Sequence, residues 1–291
     1  MATHNSFRGY GQVMLPPRVI KTEEGEYQRA SCAIMTLRGK RSIGDSLENI
    51  RYDSPALRTS NQVLCDEISN WKVGDMIEVK GTITSREIIR TNICPACGAE
   101  NRVQGVMSYV HPIFCTKIEG NISQEEGIRL LKYRNEISNN VTVIGMLTQE
   151  PQYHITANKT LIAKYQIAVM RRYRIKEDDP NRRADFIWIK SFGKIAETDK
   201  KYLKKGTMIY IDGVVQTINY DRKIICASCN EEFNASETSL EIVPYTVEYL
   251  RDYLPQEDNG GKDPEKDQID YIVGDSKIQQ KAHGILESLS Q

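Results

Sequence analysis

Apolar residues in the second half of the chain alternate with polar ones in short runs, the pattern of strands that bury one face. Five such runs, at 141–147, 161–170, 185–192, 208–218 and 240–249, are rich in β-branched and aromatic residues and bounded by turn formers. Between the third and fourth, residues 195–203 take helical spacing and lead into Lys204-Lys205-Gly206, with glycine where helices commonly stop. The first half follows the same order less cleanly, with residues 61–71 in the helix position.

The two halves are in register. Gly74-Asp-Met-Ile-Glu-Val-Lys-Gly81 recurs as Gly206-Thr-Met-Ile-Tyr-Ile-Asp-Gly213, an offset of 132 that also carries Cys94 onto Cys226, Cys97 onto Cys229 and Pro112 onto Pro244. Upstream the offset becomes 134, relating Gly11 to Gly145 and Pro17 to Pro151. Five strands with a helix before the fourth is the order of an OB-fold barrel. The expected fold class is therefore all-β, with two tandem five-stranded OB-fold barrels at 8–120 and 138–254. A connector at 121–137 joins them, where Ser123-Gln-Glu-Glu126 before Ile128, Leu130 and Leu131 predicts a capped helix. Residues 255–291, rich in Pro, Gly and charge at their start, predict a flexible acidic segment with a short helix near 277–288.

Composition narrows the function classes. The formal net charge is zero, yet 252–291 holds nine acidic and four basic residues, leaving 30 acidic and 35 basic before it. A body of about +5 is compatible with a polyanion ligand. No run approaches the roughly 18 apolar residues of a membrane span. The N-terminus MATHNSFRGYGQ has no basic-then-apolar character, which gives a cytoplasmic expectation, nucleoid or replication-associated. The four histidines are scattered, and no Walker-type or dinucleotide-binding glycine loop is found, so a non-enzymatic protein is expected.

The second half resembles the bacterial single-stranded DNA-binding (SSB) family. The resemblance is carried by Asn140-Val-Thr-Val-Ile-Gly-Met-Leu-Thr-Gln-Glu-Pro151, Ala168-Val-Met-Arg-Arg-Tyr-Arg174, Asp185-Phe-Ile-Trp-Ile-Lys-Ser-Phe-Gly-Lys-Ile-Ala-Glu197 and Tyr202-Leu-Lys-Lys-Gly206. It implies sequence-tolerant binding of single-stranded DNA in replication, recombination or transfer, with aromatic side chains stacking on bases and cations tracking the backbone. By position, the stacking residues would be Tyr173, Phe186, Phe192 and Tyr220, with Arg171, Arg172 and Arg174 beside them. Independently of the resemblance, Phe186, Trp188, Lys190 and Phe192 are spaced by two and share one face of a strand, which places Ile187 and Ile189 inward. Repeat one has Ser54, Ala56, Arg58 and Ser60 where repeat two has Phe186, Trp188, Lys190 and Phe192. It is expected to bind DNA weakly, through Arg38, Lys40, Arg41 and Arg58, or to act as a dimer-like partner of repeat two. The resemblance also implies replication or recombination proteins as partners and a possible homo-oligomer. Rival readings are an RNA-binding OB protein and a zinc-dependent scaffold for replication partners.

Cys94-Pro-Ala-Cys97 and Cys226-Ala-Ser-Cys229 each have the spacing with which two thiolates grip one zinc. The expected cofactor is structural Zn held by all four, clasping two hairpins. Sites completed by a second chain, a local site of Cys94 and Cys97 with His111 and Cys115, and metal-free thiols remain open. Cys32 and Cys65, among apolar residues, are expected in the core.

Overall fold

The computed structural model describes residues 4–38, 50–171, 175 and 181–251, so the residues around 277–288 and the charged stretch from 255 lie outside the described residues. The described chain falls into two compact units. One holds residues up to 84, 108–217 and 240–251, and contains both barrels; the other holds 85–107 and 218–239, and contains the ends of two long hairpins.

In the first barrel the strands are β1 (His4–Val13), β2 (Arg18–Lys21), β3 (Tyr27–Arg38), β4 (Arg51–Asp53), β5 (Ala56–Thr59), β6 (Met76–Ile93) and β7 (Glu100–Glu119), with helix α1 (Gln62–Ser69) before β6. After helices α2 (Gln124–Tyr133) and α3 (Asn135–Ser138), the second barrel comprises β8 (Asn139–Leu147), β9 (Gln152–Ile155), β10 (Leu161–Met170), β11 (Ala184–Phe192), α4 (Lys194–Tyr202), β12 (Met208–Ile225) and β13 (Glu232–Arg251). Strands four and five of each repeat run well past the alternation seen in sequence. Their continuation is in the hairpin unit, where alternation no longer tracks a hydrophobic core.

The strand order β2-β3-β5-β7-β6-β1-β8-β12-β13-β11-β10-β9 reads the same from either end once the repeats are matched. Parallel contacts of Leu57 with Val110 and of Ile189 with Ile242 close the two barrels at equivalent places. At the centre β1 pairs antiparallel with β8, with Phe7 opposite Val141, residues 134 apart and therefore at the pseudo-two-fold axis. Asn5 donates to the Ile83 carbonyl and accepts from the Ile83 amide, and Asn139 does the same with Val215, so each repeat uses an asparagine as a surrogate strand partner.

The repeated glycines have a steric cause. A Cβ at Gly81 or Gly213 would collide with the carbonyl oxygen of His111 or Val243 on the neighbouring strand, so only glycine permits that backbone approach. Ser123 caps α2 as its sequence predicts, accepting from the Glu126 amide at 3.2 Å. The Glu126 carboxylate turns to Arg129 instead of returning to the cap. The connector's Leu131 packs with Tyr10, Met35, Leu37 and Met76 on the first barrel, outside its main core. Cys32, Cys65 and Cys115 are all buried in that main core.

Beneath the second barrel, α4 points Asp199 into the interior. Its carboxylate accepts hydroxyls from Ser191, from Tyr165 at 3.2 Å and from Tyr249 at 2.5 Å. Burial raises its pKa above the ordinary carboxylate value, outweighing those three donors. The folded state thus holds the proton more tightly than the unfolded chain. Asp199's contribution to stability should be largest in acid and fall as pH rises from the ordinary carboxylate value through the raised one. Asp199→Asn should remove that slope. Urea midpoints of both proteins between about pH 4 and 7 would check it.

Candidate nucleic-acid interface and thiolate cluster

Strands β9, β10 and β11 set the candidate site. Ile187 and Ile189 point into the core with Ile167, Tyr165 and Ala163, so the alternate residues form the outer face. Along it Phe192 lies opposite Ile162, Lys190 opposite Lys164, Trp188 opposite Gln166 and Phe186 opposite Ala168. His154 and Gln152 extend the first two rungs onto β9. Cations and rings are interleaved: the Lys164 ammonium sits 5.2 Å from the centre of the Trp188 ring, and that of Lys190 lies 5.7 Å from the centre of Phe192. A salt bridge of 3.2 Å to the buried Glu241 ties Lys164 in place. Trp188 and Lys190 are half-buried, and 37% of Phe192 is exposed. Phe186 is covered, with 8% exposure, beside the small Ala168. Such a surface offers π-faces at a strand's natural spacing with a positive charge next to each.

The hairpin unit carries different chemistry. Both CxxC segments form the same turn: Gly98 and Asn230 donate to the carbonyls of Cys94 and Cys226, and both adopt positive φ. The four sulfurs of Cys94, Cys97, Cys226 and Cys229 lie within 4.8 Å of one another. Two pairs cross between hairpins, Cys94 to Cys229 at 3.7 Å and Cys97 to Cys226 at 3.6 Å. Sulfurs placed about 2.3 Å from a tetrahedral centre would be about 3.8 Å apart, so the cluster fits a metal ion held by four thiolates. Backbone amides of Cys229 and Ser228, aided by the Asn101 side chain, pull the Cys226 thiol down to about 6. Asn101 also accepts from the Ala227 amide, fastening one hairpin to the other. Further along, the buried Glu237 takes Arg90 at 2.8 Å and the Tyr220 hydroxyl at 2.8 Å.

The Single-strand binding protein family matches residues 138–250. This segment is thus similar to an SSB domain. It is similar to the single-stranded DNA-binding protein of Enterococcus faecalis, 38% identical over 85 residues, or 29% of this chain and 44% of that one. It is likewise similar to single-stranded DNA-binding protein 1 of Streptococcus pyogenes, 39% identical over 84 residues, 29% of this chain and 63% of that one. The chain spans about half the length of the curated relatives it matches. The fold likeness reaches further. The wild-type single-stranded DNA binding protein from Thermus aquaticus superposes with a TM-score of 0.58 at 15% identity, covering 88% of this chain and 98% of that one. A deletion mutant of the same protein gives a TM-score of 0.54 at 16% identity.

Within the SSB domain, the structure brings Trp188, Lys190 and Phe192 together on an open face and adds Lys164, which sequence reading missed. The signal was present, since Lys164 interrupts the core positions 163, 165 and 167 on the opposite parity. Phe186 shares the parity of that face but not its exposure. Tyr220 lies within the extended β12 in the hairpin unit, where its hydroxyl donates to Glu237. Arg171 is engaged within the fold. Its guanidinium grips Asp185 at 2.7 and 2.6 Å with both side chains buried, so it is committed to the fold. Arg38 is similarly engaged by Asp53 and Gln216. Arg58 lies on the first barrel's β5, 5.8 Å from the centre of the Tyr109 ring. Tyr173, Arg172, Arg174, Lys40 and Arg41 lie outside the described residues. The local metal site also fails, because Cys115 is in the barrel core and the cysteine cluster does not include it.

Removing one partner of a buried ion pair strands the other charge, at a cost of about 3–5 kcal/mol. Arg171→Ala should therefore lower the chemical-unfolding free energy of the SSB domain by an amount in that range. Equilibrium urea denaturation checks this.

Proposed function

We propose that this chain binds single-stranded DNA without sequence preference and acts by holding it, not by catalysis. The interleaved ladder of Trp188, Lys190, Phe192 and Lys164 on the outer face of the SSB domain carries this reading. Every base has a π-face, so rings in a row accept any sequence, and the lysines between them meet the phosphates. Protection of exposed strands during replication, recombination or transfer is the role that fits such binding.

The second part of the proposal is a structural zinc held by Cys94, Cys97, Cys226 and Cys229. Four soft thiolates at tetrahedral spacing suit Zn, with no ligand position left open for a reacting water. Its contribution is to fasten the two hairpins. Protein purified without added metal should contain about one zinc per chain, and less than about half a zinc by elemental analysis would remove the clasp.

Binding itself is read by fluorescence. Trp71 is buried in the first barrel, so quenching on titration with a thymidine oligomer should report Trp188. Trp188→Phe should lose the quench and keep the affinity, whereas Trp188→Ala or Phe192→Ala should weaken affinity by about 5- to 150-fold each. Binding should fall steeply with salt, and single-stranded DNA should outcompete duplex DNA and folded RNA. A stronger preference for folded RNA would overturn the reading.

A further inference from the structure

The candidate face on the second barrel contains a charge that opposes its proposed ligand. On β13 the core takes Leu240 and Ile242, so Glu241 between them points outward. The parallel contact of Ile189 with Ile242 sets Glu241 beside Trp188, one residue back on each strand. Lys164, rooted on β10 opposite Lys190, is one rung away. Its side chain reaches diagonally across β11: the ammonium lies over the Trp188 ring, 5.2 Å from the ring centre, and 3.2 Å from a Glu241 carboxylate oxygen. Cation and acid thus form a strap from β10 to β13 with the indole beneath it.

The strap is costly to the fold. Glu241 is 4% exposed, and its other carboxylate oxygen is buried with no hydrogen-bond partner among the described residues. A buried ion with an unanswered oxygen does not recover its desolvation through one lysine. The lysine is the half free to move, since 26% of its side chain is exposed against 6% for the acid. At the matching places the first barrel has Ser31, Ala56 and Tyr109, so the lysine, the indole and the acid are replaced together. The acid accompanies the ring and the cation that would meet DNA.

We propose that the Glu241 carboxylate stands in for a DNA phosphate: it holds Lys164 over the indole in the free protein and sets affinity by competing with DNA for that lysine. A base takes this ring face only when the ammonium swings off it, and the freed ammonium then meets the phosphate beside that base. Carboxylate and phosphodiester oxygens both accept charge-assisted hydrogen bonds, so one ion pair is exchanged for another and the net gain at this position is small. The inference rests on the proposed single-stranded DNA binding and names a residue that restrains it.

The test compares the parent protein, Glu241→Gln, Lys164→Gln and the double variant, each as the full chain, with a thymidine oligomer of about eight nucleotides, within the reach of one OB barrel. Glutamine keeps the shape of the acid and drops its charge. Glu241→Gln should bind about 3- to 10-fold more tightly at low salt, with a slope of log affinity against log salt steeper by up to about 0.7, the share of one phosphate. Glu241→Thr, a strand former that also lacks the charge, should gain likewise. Before DNA is added, acrylamide should quench Trp188 more strongly in both variants than in the parent, because the ring is uncovered. With Lys164→Gln already present, Glu241→Gln should add nothing. Unchanged or weaker binding by both single Glu241 variants overturns the inference. So does an equal gain without Lys164, which would make Glu241 a source of general repulsion. Failure of the parent protein to bind the oligomer at all would instead overturn the proposed function.

Discussion

The antiparallel pairing of β1 with β8 is the contact on which the arrangement of both barrels depends. Each strand would otherwise leave a row of backbone donors and acceptors at an open edge. Pairing Phe7 with Val141 at the pseudo-two-fold axis satisfies those groups and joins two sheets into one. Asn5 and Asn139 extend the ladder on either side by bonding Ile83 and Val215 through both side-chain atoms. With the central edges consumed, the faces formed by β2, β3 and β5 and by β9, β10 and β11 are left at the two ends of the strand order.

The hairpin unit solves a different problem. It has few apolar residues to bury, and it buries a charge, Glu237, answered by Arg90, Arg222 and Tyr220. Burying an ion repays its desolvation only when every partner is in place. Burial and the Glu237 carboxylate together push the Tyr220 hydroxyl up to about 12, so it remains a donor throughout the physiological range. A small unit with so modest a core is the kind that gains most from a metal ion, and its thiols are gathered from both hairpins.

Much of this was legible in the sequence because it depends on local rules. Alternation located the strands, and the repeated glycines at 81 and 213 marked a close backbone approach that no other residue permits. The cysteine pairs announced equivalent turns. What was not legible depends on which side chain meets which neighbour. Alternation put Phe186 and Trp188 on one face, but only the register shows that Phe186 is covered. Arg171 sat in a basic cluster that read as a phosphate contact, and only the fold brings Asp185 to it across a strand pair. The asparagines at 5 and 139 carry the repeat's offset, yet an isolated polar residue in a strand gives no sign of the backbone it will bond.

Joining the barrels covalently changes the rules that a symmetric pair must obey. In a homodimer every substitution occurs twice, so a residue given up on one face is given up on both. Here each position is encoded once: Trp188 has Ala56 as its counterpart and Phe192 has Ser60, without loss to the SSB domain. Nor can dilution separate the halves, since the partner of β1 is always present on its own chain and mass action has no hold on the seam. Asymmetry and independence from concentration thus come from the same covalent link.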